Sequence, residues 1–163
     1  MACLYGHARC LEIVLDLGNV DVDILNEDDD SMTTGLMAAC KRGNLECVEL
    51  LLDRNAALEK ADKYGKTPLI YACMKDDNDD VVRALLKRGA LPNSKDNSGS
   101  TPLMYCAQYT DSDKMCSLLV KHGSLIDNYD DTNNNACMYA SKHGNKKILS
   151  KMREVCLNLT ICP

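Results

Sequence analysis

The feature that most constrains this chain is a period. The segments TGLMAAC (Thr34 to Cys40), TPLIYAC (Thr67 to Cys73), TPLMYCA (Thr101 to Ala107) and NACMYAS (Asn135 to Ser141) superpose, with starts 33, 34 and 34 residues apart. A second apolar block follows each: CVELLL from Cys47, VVRALL from Val81, MCSLLV from Met115 and a weakened Ile148-Leu149. One more block, Cys10 to Leu15, preceded by Ala2 to Gly6, forms an incomplete unit at the start. A unit of this size cannot bury its own apolar face, so neighbours must stack to make a continuous core.

Physical chemistry gives each unit its shape. Thr67 and Thr101 suit a helix N-cap, and Pro68 and Pro102 stand at the first helical position, where no amide partner is needed. Apolar residues then recur at helical spacing. Gly18, Asn55, Gly89 and Gly123 accept the left-handed backbone that closes a second helix. Beyond each cap lies a stretch rich in Asp, Asn, Ser and Gly, such as Asp62-Lys63-Tyr64-Gly65 and Asp96-Asn97-Ser98-Gly99, which predicts a projecting turn or finger. The unit is helix, turn, helix, finger.

This pattern resembles the ankyrin repeat, with its period of about 33 residues and TPLHxA-like start. The resemblance covers nearly the whole chain and implies an all-α solenoid of about five helix-turn-helix units with β-hairpin fingers. The units fall at about 1–29 (incomplete), 30–62, 63–96, 97–130 and 131–163, one domain in all. Met37, Ile70, Met104 and Met138 replace the family's usual His, so its hydrogen bond between repeats is expected to be absent. The third and fourth units lack the inter-helix glycine of Gly43 and Gly144 and carry Asp76 to Asp80 and Thr110 to Asp113 instead. Lys151 and Arg153 replace apolar residues in the last unit, and Cys156 falls at its expected helix end, so 131–163 reads as a polar C-terminal cap. The start inside a first helix predicts further chain before it.

Composition removes several function classes. Ten cysteines could be a secreted disulfide framework, but most lie in apolar helical runs, where a free thiol acts as a small hydrophobe, and no leader precedes them. The expectation is a cytoplasmic or nuclear chain with reduced cysteines, and the Asn158 sequon is discounted. No apolar run approaches the roughly 20 residues of a spanning helix, so direct membrane insertion is not expected. Asp76, Asn78 and Asp80 match part of a calcium loop, but Val81 and Lys87 stand where Gly and a bidentate Glu are required. Cys73 shares its register with Cys3, Cys40, Ala107 and Ser141, a choice of small size rather than of a nucleophile. There is no Cys-x-x-Cys for zinc and no Gly-rich phosphate loop. No enzyme activity and no cofactor are expected. Tyr71, Tyr105 and Tyr139, in one register, read as packing between first helices.

The charge is uneven within a net −5: one basic and eight acidic residues in 1–31, five basic and one acidic in 132–163. The resemblance implies protein binding on the concave face of fingers and first helices. Its variable positions map to Ser31, Thr33, Lys41 and Arg42; to Lys63, Tyr64, Lys66, Met74 and Lys75; to Asn97, Ser98, Gln108 and Tyr109; and to Asp131, Thr132, Lys142 and His143. Several are basic, so the expected partner is a protein segment, extended or helical, with acidic and apolar residues. Tyr64 and Tyr109 would anchor it. Nucleic acid is not the expected partner. Two other readings accompany this one: a regulatory or inhibitory subunit docking on an enzyme such as a kinase, and the ankyrin part of germ-cell ankyrin, SAM and leucine-zipper proteins. Those proteins scaffold small-RNA (piRNA) silencing factors on mitochondria, and Cys47 to Ala56 and Thr101 to Tyr105 look similar to them.

Overall fold

In the computed structural model, residues 2–18, 20–26 and 30–159 are described. The helices come in pairs: α1 (Ala2–Tyr5) with α2 (Ala8–Asp16), α3 (Gly35–Arg42) with α4 (Leu45–Asp53), α5 (Pro68–Cys73) with α6 (Asp79–Lys87), α7 (Pro102–Tyr109) with α8 (Asp113–Lys121), and α9 (Ala136–His143) with α10 (Lys146–Leu159). First helices stack on first helices and second on second, so the chain is a two-layered helical solenoid. The core runs through it as one apolar seam that includes Leu36, Leu51, Leu69, Leu85, Leu103, Leu119 and Ile148.

The expected caps are in place. Thr34, Thr67, Thr101 and Asn135 each accept a hydrogen bond from the backbone N–H three residues on. Two of the methionines that replace histidine turn their sulfur back onto the cap: Met37 Sδ accepts from Thr34 N and Met104 Sδ from Thr101 N, each at 3.4 Å. Those bonds stay within one unit. Asparagines at the turn between helices link one unit to the previous one instead: Asn44 Nδ2 donates to Cys3 O (2.9 Å), Asn78 Nδ2 to Cys40 O (3.0 Å) and Asn145 Nδ2 to Ala107 O (2.8 Å). The fourth unit has Ser112 at that register, which caps α8 and donates to Asp79 at 2.9 Å.

The missing inter-helix glycines are replaced by other devices. Asp77 takes the left-handed conformation (φ 56) in the lengthened acidic turn. In the next unit Thr110 leaves α7 in extended conformation while its Oγ1 donates to Cys106 O at 3.0 Å. Asp79 and Asp80 open α6, where negative charge opposes the helix dipole. Asn78, the middle residue of the calcium pattern, is buried and also donates to Ala72 O. It is a structural strut.

The fingers are shorter than hairpins with paired strands. The three before α5, α7 and α9 are five-residue reversals in which a leading aspartate accepts from the amides two and four residues on, as Asp62 does from Tyr64 N and Lys66 N (2.9 and 2.7 Å). Asp96 and Asp130 repeat the arrangement. Such a closed turn leaves no length for a ladder, and among the described residues the β pairing is one isolated bridge, Leu25 with Thr34. Finger is bonded to finger instead: Lys63 N to Ser31 O, Asn97 N to Tyr64 O and Asp131 N to Ser98 O, at 2.9–3.1 Å. Gly65 is required by this stacking, since its φ is +80 and a Cβ would lie 2.7 Å from Asn97 N.

The last unit departs from expectation at its end. Cys156 does not cap the helix; α10 runs through it to Leu159. No Gly or Asn stands there to take the left-handed turn, and Lys151 pairs with Glu154 one turn apart on the exposed side. Residues 160–163 of the expected cap, with Cys162, lie outside the described residues.

Candidate functional site on the finger and first-helix face

The three register tyrosines do more than pack. Tyr71 Oη donates to Asp62 at 2.7 Å, Tyr105 to Asp96 at 2.6 Å and Tyr139 to Asp130 at 2.6 Å, each across nine residues of sequence. Every bond clasps a first helix to the finger that precedes it. The aspartates are therefore saturated: for Asp96, burial alone would raise the carboxyl, but bonds from Tyr105, Ser98 and Ser100 hold it below the usual range. Asp130 is lowered in the same way through Tyr139, Thr132 and Asn134. Burial and the bond to Asp96 push the Tyr105 phenol well above its ordinary value.

On this frame sit the side chains of the expected contact surface. Lys63 Nζ lies 5.1 Å from the centroid of the Tyr64 ring. Lys66 Nζ lies between two rings, 6.0 Å from Tyr64 and 5.2 Å from Tyr105. Tyr105 in turn stacks on Tyr109, with centroids 6.0 Å apart and planes 9° apart. Tyr64, Lys66, Tyr105 and Tyr109 thus form one strip across the third and fourth units, and Tyr64 and Tyr109 are each about half exposed (48%). A notch of about 350 Å³ opens beside it, lined by Tyr64, Lys66, Asp96, Asn97, Ser98 and Tyr105. Such cation–π contacts are worth about 0.5–1 kcal/mol at exposed sites, enough to orient the lysines.

Elsewhere on the face, Lys41 and Arg42 are exposed at the end of α3, with Lys41 Nζ 5.8 Å from the Tyr71 centroid. Lys142 and His143 are exposed at the end of α9. Asn97, Ser98, Asp131 and Thr132 are exposed on the finger tips, although Ser98 and Thr132 hydroxyls also donate to Asp96 and Asp130. Ser31, Met74, Lys75 and Gln108 are half-buried; Met74 packs against the core and Lys75 Nζ reaches Asp76 O at 3.3 Å. Thr33 is the exception. It is buried, its carbonyl accepts from Asn26 N, and it lines a cavity between the first and second units. The sequence analysis gave Tyr105 a packing role only and Asp96 a place in a finger, and did not join them; the constant nine-residue spacing of Asp and Tyr in three units was the available signal.

The cysteines Cys40 and Cys73 of the small-residue register, and Cys106 and Cys116 outside it, are buried. Burial pushes Cys40 and Cys73 far up, Cys106 to about 12 and Cys116 to about 12, the reverse of what a nucleophile needs. Among the described residues no three His, Cys, Asp or Glu are grouped to hold a metal. None of their helices is long and apolar enough to cross a membrane.

Comparison with known proteins agrees with the geometry. The family described as ankyrin repeats (3 copies) matches residues 1–96 and 89–155. Cortactin-binding protein 2 of Rattus norvegicus is 37% identical over 68 residues, 42% of this chain and 4% of that protein. Tyrosine-protein kinase HTK16 of Hydra vulgaris is 34% identical over 68 residues, 42% of this chain and 9% of that protein. The B-cell lymphoma 3 protein homolog of Mus musculus is 37% identical over 76 residues, 44% of this chain and 16% of that protein. The chain spans less than a fifth of the length of these relatives.

Proposed function

Because the chain belongs to the ankyrin-repeat family, whose repeats are protein-interaction modules, we propose that it is a non-catalytic binding module that captures a protein segment on its finger and first-helix face. The observation that carries the site is the strip Tyr64–Lys66–Tyr105–Tyr109. It offers two half-exposed aromatic rings, held by a saturated Tyr–Asp clasp beneath, with Lys41, Arg42, Lys63 and Lys66 on the same face. Preorganised aromatic anchors with a basic surround suit a segment carrying apolar and acidic side chains, because the rings lose little freedom on binding and the lysines supply the charge match.

Affinity purification followed by mass spectrometry tests this, with the intact chain compared with a Tyr64→Ala/Tyr109→Ala double variant. The expected result is a partner set retained by the first and lost at least tenfold by the second, with capture weakening as salt rises. An equally folded double variant that captures the same partners would remove the site.

A further inference from the structure

Four lysines are half-buried among the described residues: Lys60, Lys66, Lys75 and Lys151. Three of them have an oxygen to meet the ammonium. Lys60 Nζ donates to Asp23 O at 2.6 Å, Lys75 Nζ to Asp76 O at 3.3 Å and Lys151 Nζ to Glu154 at 2.9 Å. Among the described residues Lys66 Nζ meets only rings, those of Tyr64 and Tyr105. A ring face attracts an ammonium, yet leaves its three N–H donors without an oxygen, and a partly desolvated charge without acceptors is costly. The carboxylate in the same notch is already taken: Asp96 Oδ2 accepts from Tyr105 Oη, and Oδ1 from Ser98 N, Ser98 Oγ and Ser100 N. Nor does the turn need the lysine. The position directly before the cap of a first helix holds Thr33, Ser100 and Asn134 in other units. Ser100 N and Asn134 N bond their finger aspartates just as Lys66 N bonds Asp62.

We propose that Lys66 is the residue that selects an acidic side chain of the bound segment: an aspartate or glutamate carboxylate enters the notch and accepts a hydrogen bond from Nζ. The inference rests on the protein-binding reading above and deepens it, since it gives charge selection to one lysine and makes Tyr64 and Tyr105 the residues that position it. The occupant follows from the donor set. An ammonium already held between two rings loses little freedom when the bond forms, and a carboxylate makes a charge-assisted bond about twice as strong as a neutral amide does. Lys63 Nζ, 5.1 Å from the Tyr64 centroid, adds positive potential, and the charge of Asp96 is spread over the donors that hold it. A phosphate dianion is better served by arginine forks and several amide donors. The notch lining holds no arginine, and the finger amides of Ser98 and Ser100 are spent on Asp96. At about 350 Å³ the notch lies at the lower end of ligand pockets, about 300–1,000 Å³, which suits one side chain rather than a folded element.

Panning a random peptide display library on the intact chain tests this. The retained peptides should share one position enriched in Asp or Glu. On Lys66→Glu the same library should favour Lys or Arg at that position. On Lys66→Ser, which places there the side chain that Ser100 carries in the next unit, the charge preference should disappear. For a synthetic peptide from the parent selection, changing the acid to its amide should weaken binding to the parent about tenfold. The same change should leave binding to Lys66→Ser unaltered, so that the cycle isolates the pair. Retained peptides without an acidic position, or an acid-to-amide change with equal effect on both proteins, overturn the proposal. So does a phosphoserine at that position that binds about tenfold more tightly than the acid, which would assign the notch to phosphate, or a library from which the parent retains nothing. Peptides that need Tyr64 and Tyr109 but are indifferent to Lys66 leave the module reading standing without this subsite. Peptides that need Lys66 but neither tyrosine leave the subsite standing without those anchors.

Discussion

The first unit and the central units are written in nearly the same pattern and end up in different environments. In the nine-residue helices α4, α6 and α8, the third and seventh positions are Cys47 and Leu51, Val81 and Leu85, Met115 and Leu119, and all six are buried. In α2 the same positions are Cys10 and Val14, and both are exposed. The central units also close a Tyr–Asp clasp over each first helix, whereas the second unit has Ala38 in that register. The pattern therefore makes the helix, and only a stacked neighbour makes the burial.

The sharpest test of this contrast is Leu85→Ala against Val14→Ala. The first opens a hole in a fully buried seam and should cost about 2–5 kcal/mol; the second alters an exposed side chain and should stay within about 0.5 kcal/mol. Urea denaturation of both variants reads the difference, and equal losses would break the comparison. Asn78→Ala comes next, because it removes the bonds to Cys40 O and Ala72 O; Cys40 O keeps its bond from Gly43 N, so the cost is that of one deprived carbonyl, about 1–3 kcal/mol. Asn44→Ala, with one bond from a half-buried side chain, should lose less.

Tyr105→Phe keeps the ring and removes only the bond to Asp96. Bonds to charged groups contribute about 1.5–3 kcal/mol, and the lower end is expected since Ser98 and Ser100 still serve the carboxylate. Thermal unfolding of Tyr105→Phe beside Tyr139→Phe should show the smaller loss at the half-buried Tyr139. The smallest effect is the pH dependence of the clasp. Asp96 and Asp130 have carboxyls lowered by folding, so their contribution is complete above the unfolded value of about 3.9 and disappears as pH falls through the lower folded values. Tyr105 and Tyr139, raised by folding, contribute fully below about 10 and lose that contribution as pH rises beyond it. Urea midpoints from pH 5 to pH 2 should fall less steeply in Tyr105→Phe than in the parent chain.

Much of the fold is legible in the residues. Thr67-Pro68 and Thr101-Pro102 announce their helices, and Asn55, Gly89 and Gly123 close theirs with left-handed backbone (φ 61, 95 and 95). The site was legible only in part. Tyr64, Lys63, Lys66 and Tyr109 follow from their places beside the finger and after the small-residue register, but Tyr105 read as core because its ring is buried while its role lies in what it stacks on and bonds to. The burial of Thr33 was not legible for the opposite reason: a polar residue beside a finger looks exposed until the fold carries it inward.

What the sequence by itself determined is everything set by neighbours in the chain: the period, the caps, the acidic turn, and the small register that Cys3, Cys40 and Cys73 share. The tertiary structure alone decided what depends on residues some 30 or more positions apart meeting in space. The Asn78–Cys40 strut, the bonds between fingers and the lysine held between Tyr64 and Tyr105 all arise between units. A repeat fixes the shape of one unit locally, and the chemistry of its surface appears only when the next unit is laid beside it.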